Sequence, residues 1–434
     1  MRLRMRIGTA GVALAVMGIA ACAPGSSSSS SSDTASGPKT VDFNSFKGKT
    51  LTYVYFTDGP DEQATRDAIA KFESATGAKV NLQILPFADL NTSLQARLSA
   101  GNAPEVARVA DWHVYADEAV DFKQYFGSDY AKEFSAGAAG TAQDAEGHMY
   151  AVPSDLTING PMINVDAFKK AGVAVPTKWT WDQLVTDAKK VAAANKMQYA
   201  VAIDKSGNRL STVLSQYGTV MIGKDGKNAL DKEKAAKALT FFTDLVKSNT
   251  VPKDFWLGSG SKYSGANEIF LAKQVPVYLS GPWQVGAFAK SASFDWAAVP
   301  NPCAERCGGF PGGKFMVAFK NSKEPTLGAA FVQWMNRSEN QSAVDKTAFW
   351  LPTRQDLTTS GVKYPSRDSD MAVFISQIGE TPEETWASGS NPAFTKSATA
   401  LIAETDKVVA GQQDVATAVN NLSDAIDKAI KESS

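Results

Sequence analysis

The sequence predicts an α/β protein built as two lobes. Three observations carry this expectation. Strand-like and helix-like patterns alternate over residues 49–110, helical patterns dominate the middle of the chain, and strand-like segments return after residue 275. A chain that leaves one lobe, builds another and comes back crosses between them twice, which makes a hinge.

The first five elements are clearly punctuated. Residues 49–56 are β-rich and apolar, and residues 61–76 place Ala64, Ala68, Ile69, Phe72 and Ala75 on one helical stripe, entered near Pro60 and stopped by Gly77. Val80, Leu82 and Ile84 recur at period two, Leu90, Leu94 and Leu98 mark a second helix ended by Gly101, and residues 105–110 read as a third strand. This βαβαβ order is a parallel, doubly wound start. Further on, Thr180 and Gln183 have capping-box spacing ahead of Leu184, Val185, Ala188 and Val191, and Ala238, Leu239, Phe242, Leu245 and Val246 form another amphipathic stripe. Strands are expected at 275–279, 296–299 and 314–319, followed by helices near 326–336, 371–379, 394–409 and 414–431. No internal repeat is apparent. The expected division is 47–153 with 281–328 in the N-terminal lobe, and 154–280 with 329–434 in the C-terminal lobe.

Ahead of these elements lies an export pattern. Arg2, Arg4 and Arg6 precede an apolar run that closes on Ile19-Ala20-Ala21-Cys22. This run is well short of the roughly 20 residues a bilayer-spanning helix needs. Residues 1–21 therefore read as a signal peptide and Cys22 as a lipidation site. Residues 22–46 read as a lipidated N-terminus and tether, because the seven consecutive serines from Ser26 to Ser32 offer too little apolar surface to offset ordering entropy. The expected location is the extracytoplasmic face of the cell membrane, held by lipid.

Composition narrows the partners. The formal charge of -1 falls to about -4 once the three signal arginines are removed, and no basic block interleaved with aromatics occurs, so no nucleic-acid partner is expected. Beyond Cys22 only Cys303 and Cys307 remain, in a loop bounded by Pro302 and Gly308. An exported chain can close a disulfide there, with free thiols as the alternative; a zinc site wants three or four ligands, and His113 and His148 are the only histidines. No metal and no cofactor are expected.

Catalytic patterns fail one by one. No G-x-S-x-G elbow flanks either histidine, and Gly48-Lys49-Thr50 lacks the earlier glycine of a phosphate loop, where Phe43 stands instead. Paired carboxylates among Asp58, Asp111 and Asp155 keep a surface glycoside hydrolase open as the enzyme alternative, and an adhesion or scaffold lipoprotein as the third. The chain is expected not to be an enzyme.

Binding chemistry fits better. Asp58 and Asp111 lie at predicted strand ends, where ligands of open α/β sheets sit, and Trp112 is beside the second. Carboxylates accept hydrogen bonds from hydroxyls and indole faces cover the C–H patches of sugar rings, although the same groups suit a quaternary ammonium. Asp58 also fits a helix N-cap. Trp256, Trp283 and Trp386 sit beside glycines in irregular segments and are assigned to the cleft, whereas Trp181, Trp296 and Trp334 fit core patterns.

Four segments give the chain a family likeness: the lipoprotein start at Cys22; Gly147-His148-Met149-Tyr150-Ala151-Val152-Pro153 followed by residues 163–172; Ser280-Gly281-Pro282-Trp283; and Phe331-Val332-Gln333-Trp334 followed by Leu351-Pro352-Thr353-Arg354. From about residue 47 onward the chain resembles the family 1 extracellular solute-binding proteins, the maltose-binding-protein-like receptors of ABC importers. The resemblance implies a two-lobed type II periplasmic-binding-protein-like fold that closes on a ligand that is usually a sugar or a polyol derivative; the aromatic and acidic groups named above would serve an amino sugar or a glycerophosphodiester as well. It also implies an ABC permease as partner and a monomeric receptor. Carried over position by position, it implies binding loops at Thr57-Asp58-Gly59, Asp111-Trp112, Ser154-Asp155, Gly281-Pro282-Trp283 and residues 309–313, with Gly309 and Gly312. One departure is that Ile163, preceded by Met162, stands where the family often has an aromatic.

Overall fold

The computed structural model describes residues 41–57, 60–144 and 146–433. The signal peptide, Cys22, most of the tether and Asp58 lie outside the described residues. The end of the expected tether is folded: Phe43–Phe46 form a 3₁₀ turn capped by Asp42, and Phe46 is buried in the first core. The reason is apolar content, since two phenylalanines in four residues gain more by burial than the serine run can.

Two sheets organise the molecule. The first contains β1 (Thr50–Tyr55), β2 (Lys79–Ile84), β3 (Val106–Val109), β4 (Val152–Ile158) and β9 (Pro311–Ala318), in the order β2-β1-β3-β9-β4. β1 runs parallel to β2 and β3, as the alternating pattern predicts, while β9 is antiparallel to both β3 and β4. The second contains β5 (Gly160–Asn164), β6 (Val201–Ile203), β7 (Val277–Ser280) and β8 (Trp296–Ala298), in the order β6-β7-β5-β8. There β6 and β7 are parallel and β5 is antiparallel to β7 and β8.

Helices cover both faces of each sheet. Helix Asp61–Thr76 and helix Pro325–Met335 bury Phe72 and Phe331 edge to face, 5.1 Å apart, on one side of the first sheet. Leu90 and Leu94 from helix Phe87–Ser99 pack with Val54 and Ala107 on the other. The second sheet carries a larger helical layer, including Trp181–Asn195, Lys232–Lys247 and Phe394–Val409. Helix Trp181–Asn195 starts with the full Thr180–Gln183 capping box read from the sequence. Trp181 and Trp296 are buried and Trp334 is half-buried against Phe72, as their periodic settings imply. Among the described residues no helix is long and apolar enough to cross a membrane.

Sheet membership departs from the expected division of the chain. All of β4 stays in the first sheet to Ile158, β8 joins the second, and helix Pro325–Met335 packs on the first. Only Asn159 separates β4 from β5, so the crossing leaves almost no loop to read. Residues 299–310 make the return crossing from β8 to β9, alongside the first. A third passage lies at Phe349 and Trp350, which pack in separate clusters: Phe349 with Tyr278 and Phe288, Trp350 with Ala64 and Val344.

Helix Ser338–Ala348, against helix Asp61–Thr76, places Asp345 where it is fully buried with neither carboxylate oxygen hydrogen-bonded. Burial drives its pKa well above the usual carboxylate range, and the nearby Asp155 adds to the rise. A carboxyl neutral in the fold and ionised when unfolded weakens the fold as pH climbs from the unfolded pKa of about 3.9 towards the folded value, and has no such effect below it. Asp345→Asn is therefore expected to leave stability near pH 4 almost unchanged and to raise it by about 1–3 kcal/mol at pH 8, measured by urea denaturation at both pH values.

Candidate functional site

The strand directions gather the site. β1 and β3 point their carboxyl ends the same way, and the register of β9 and β4 brings Gly312, Gly313 and the end of β4 to that side. Gly160, one residue beyond the crossing, pairs with Ser280 at the carboxyl end of β7, and β6 ends beside β7. The loops after β1, β3, β6 and β7 therefore converge on the crossing at Asn159, where open α/β sheets hold ligands.

On the first-sheet side, Thr57 donates to Asp61 at 2.8 Å and Tyr55 donates to the other oxygen of the same buried carboxylate, which fixes the chain after β1. Asp111 accepts the His113 backbone N–H at 3.1 Å and pairs with its ring at 2.9 Å, and its second oxygen accepts the Thr395 hydroxyl at 2.7 Å. Thr395 sits on helix Phe394–Val409 of the second core, so this bond bridges the two halves. Burial pushes the Asp111 pKa up, but the hydrogen bonds from His113 and Thr395 outweigh it and hold the carboxyl below its ordinary value.

Trp112, expected in the cleft wall, is instead core. It is 1% exposed, its indole N–H donates to the Thr141 carbonyl at 2.8 Å, and it packs with Val54, Leu90 and Tyr115. The 3₁₀ turn His113–Glu118 directly after it carries the chain back over the sheet and turns the indole inward. Trp256 is likewise corrected. It is fully buried, edge-on to Phe242 at 4.8 Å, because residues 253–256 form a helical turn after Pro252 and the irregular part of the segment begins only at Gly258.

Asp155 faces inward as well. It is 2% exposed and paired with Arg108 at 3.0 Å, while the Ser154 hydroxyl donates to the Lys314 carbonyl at 3.0 Å. Arg108 also donates to the Phe56 carbonyl at 2.9 Å and lies between the rings of Phe56 and Trp350, 4.3 and 4.2 Å from their centroids. Sequence reading missed this centre, although an arginine inside a buried strand signals a partner waiting elsewhere.

The second-sheet side keeps Trp283. It is half-buried on the turn after β7, and that turn packs against β4. A Cβ on Gly281 would fall 2.0 Å from the Trp283 ring, so glycine is what lets the indole fold over its own backbone. The Arg209 guanidinium lies 4.7 Å from the ring centroid. Gly309 and Gly312 serve the backbone: a Cβ at Gly309 would meet the Asn159 carbonyl at 2.4 Å, and one at Gly312 the Thr157 hydroxyl at 2.9 Å. Trp386 is half-buried on helix Glu383–Gly389, which packs on β9. Ile163 and Met162 are fully buried and line no cleft. Cys303 and Cys307 are joined in a disulfide, and Arg306 within that loop pairs with Glu384 of the Trp386 helix. Of the nominated side chains, Thr57, Asp111, Ser154, Trp283 and Trp386 stay partly exposed, and Arg209, Thr395 and Trp350 join the list of side chains around the crossing. Away from the crevice, Asp144, Glu146 and His148 bring ligand-type atoms within 4.8 Å of one another on an open loop, where His148 is bonded to Asp144 at 2.8 Å.

Two α/β lobes with their strand ends turned to one crevice define a type II periplasmic-binding-protein-like fold. The chain belongs to the family described as bacterial extracellular solute-binding protein, whose model matches residues 67–371. It is 23% identical over 333 residues to a maltotriose-binding protein of Pyrococcus abyssi, covering 75% of this chain and 66% of that protein. It is also 23% identical over 377 residues to the diacetylchitobiose binding protein DasA of Streptomyces coelicolor, covering 82% and 84%. In fold it is similar to an ABC substrate-binding protein of Listeria monocytogenes in complex with cycloalternan, with TM-score 0.76, 21% identity and coverage of 88% of this chain and 98% of that one. A maltose-bound MalE3 of T. maritima superposes with TM-score 0.75 at 18% identity, over 87% and 99% of the two chains.

The buried ion pair makes a clear prediction. Arg108→Met leaves Asp155 buried without its cation and is expected to destabilise the protein by about 3–5 kcal/mol in guanidinium denaturation, whereas Arg108→Met with Asp155→Leu restores part of that loss.

Proposed function

We propose that this chain is a lipid-anchored extracytoplasmic receptor that captures a carbohydrate between its lobes and delivers it to the permease of an ABC importer. The observation that carries the reading is the convergence of the β1, β3, β6 and β7 ends on one crevice with Trp283 half-exposed in it. The family membership supports a solute receptor, and relatives named for maltotriose and diacetylchitobiose support a saccharide guest. The Arg2, Arg4 and Arg6 leader and Cys22 support export and anchoring. The carboxylates of Asp111 and Asp155 are engaged by His113, Thr395 and Arg108, which speaks for a binding role rather than for a hydrolytic pair.

Closure supplies the signal. A guest that touches both lobes favours the shut form only by its differential affinity for that form. Isothermal calorimetry with maltotriose, diacetylchitobiose, cyclic glucans and glycerophosphodiesters tests the reading. Heat with at least one saccharide, together with compaction in small-angle scattering, is expected, and no heat with any member sinks it. Trp283→Ala is expected to weaken the bound saccharide by about 1–3 kcal/mol, and an unchanged affinity assigns Trp283 to packing alone.

A further inference from the structure

Asp204 and Arg209 form a polar relay that neither motif nor pattern revealed. Asp204 follows β6 directly. Its two oxygens accept hydroxyl bonds of 2.6 Å each, from Tyr278 of β7 and from Ser280 at the end of β7. Ser280 Oγ shares its Asp204 oxygen with Arg209, whose Nη2 stands 3.4 Å away. Among the described residues that long contact is the one hydrogen bond the Arg209 guanidinium makes, and its Nε is buried without a partner. The side chain is only 11% exposed, so it is largely dry and under-bonded, and its cation rests against the ring of Trp283. Arg209 stands in the first turn of helix Gly207–Gln216, whose N-cap Ser206 accepts the Arg209 backbone N–H at 3.3 Å. Arg209 is therefore held at its backbone by the cap, while its guanidinium reaches Asp204 only by the long contact, at the carboxyl end of β6 and β7.

We infer that Arg209 is a specificity-determining residue that selects a guest rich in hydrogen-bond acceptors and free of positive charge. The class is a neutral or carboxylate-bearing saccharide, as opposed to an amino sugar or a choline ester. The attraction of the Trp283 ring for a cation is already used by Arg209, and a second cation brought within about 5 Å of the guanidinium is repelled by it, a repulsion that Asp204 beside Arg209 reduces but that the nearer guanidinium dominates. The unfilled N–H donors instead call for acceptor oxygens, and planar guanidinium suits hydroxyl pairs and carboxylates alike. This inference rests on the carbohydrate-receptor reading above and adds the charge class of its ligand.

The experiment compares, by calorimetry on the full mature chain, the tightest neutral saccharide of the panel with its amino-deoxy and uronate counterparts, in the wild type, Arg209→Met and Arg209→Lys. The wild type is expected to bind the amino-deoxy forms at least tenfold more weakly than the neutral one. Arg209→Met is expected to weaken the neutral saccharide about tenfold and to shrink the gap to the amino forms below threefold, while Arg209→Lys keeps the gap because the charge remains. Thermal melting shows whether Arg209→Met is folded, and if it is not, the Lys variant and Asp204→Asn carry the comparison. Amino forms that bind the wild type as tightly as the neutral one, or a gap untouched in folded Arg209→Met, overturn the inference and leave the receptor reading standing. Absence of binding by every saccharide overturns both.

Discussion

The crevice exists because two passages of chain between the sheets lie side by side at Asn159. The Asn159 backbone N–H donates to the Phe310 carbonyl at 3.2 Å, its side-chain oxygen accepts the Phe310 N–H, and its backbone carbonyl accepts the Asn301 amide at 2.8 Å. Its own amide donates to Thr212 at 2.5 Å. Three of its four polar groups thus tie the outgoing passage to the returning one and the fourth ties it to helix Gly207–Gln216, at a place where no loop shields the backbone. With a single residue between β4 and β5, and β5 antiparallel to β7, the ends of both sheets must face this point. The two glycines nearby follow from that crowding: Gly309 has no space for a Cβ beside Asn159, and a Cβ at Gly160 would press on Phe374 at 3.1 Å.

Buried charge is distributed unequally around this crossing. In the first lobe Arg108 is closed in by Asp155, the Phe56 carbonyl and two aromatic rings, and Asp61 is held by Thr57 and Tyr55. Asp345, whose oxygens have no hydrogen-bond partner, is pushed towards its neutral form by burial and by the nearby Asp155. The other buried charges of this lobe are met by partners within it. In the second lobe the balance is different, since each Asp204 oxygen accepts a hydroxyl while Arg209 is left with donors to spare. The unspent donors around the crossing therefore lie on the β6 and β7 side, and the first lobe reaches across through the Asp111–Thr395 bond.

Much of the fold was legible in the residue pattern, and its failures have a common cause. Helix Asp61–Thr76, the parallel β1, β2 and β3, and the capping box at Thr180 follow from periodicity and caps, which are local. Allocation of segments to lobes was not local. β4 and β5 follow one another with only Asn159 between them, and β8 is three residues long, so neither the change of sheet nor the short path after β8 leaves a mark in the pattern. For the candidate site, the loops at Thr57 and Asp111 were nominated from their strand ends and Trp283 from the glycine beside it, and the structure places all three after the carboxyl ends of β1, β3 and β7. Arg209 and Thr395 were not nominated, because each lies on a helix whose apolar periodicity explains it without reference to partners hundreds of residues or one whole element away.

The tryptophans show what separates a partly exposed ring from a packed one in such a chain. Trp112, Trp256 and Trp283 all sit beside loops, yet the first two are buried and the third is not. All three border a short helical turn, so the turn alone does not decide burial. Trp283 comes after Gly281-Pro282, which are buried, and the extended glycine backbone without a Cβ lets the indole lie on its own main chain. A glycine placed before the aromatic thus exposes it by removing the Cβ in its way. The glycines Gly258 and Gly260 after Trp256 only shape the chain that leaves it. The order of glycine and tryptophan, more than their proximity, is what puts a ring at the mouth of this crevice.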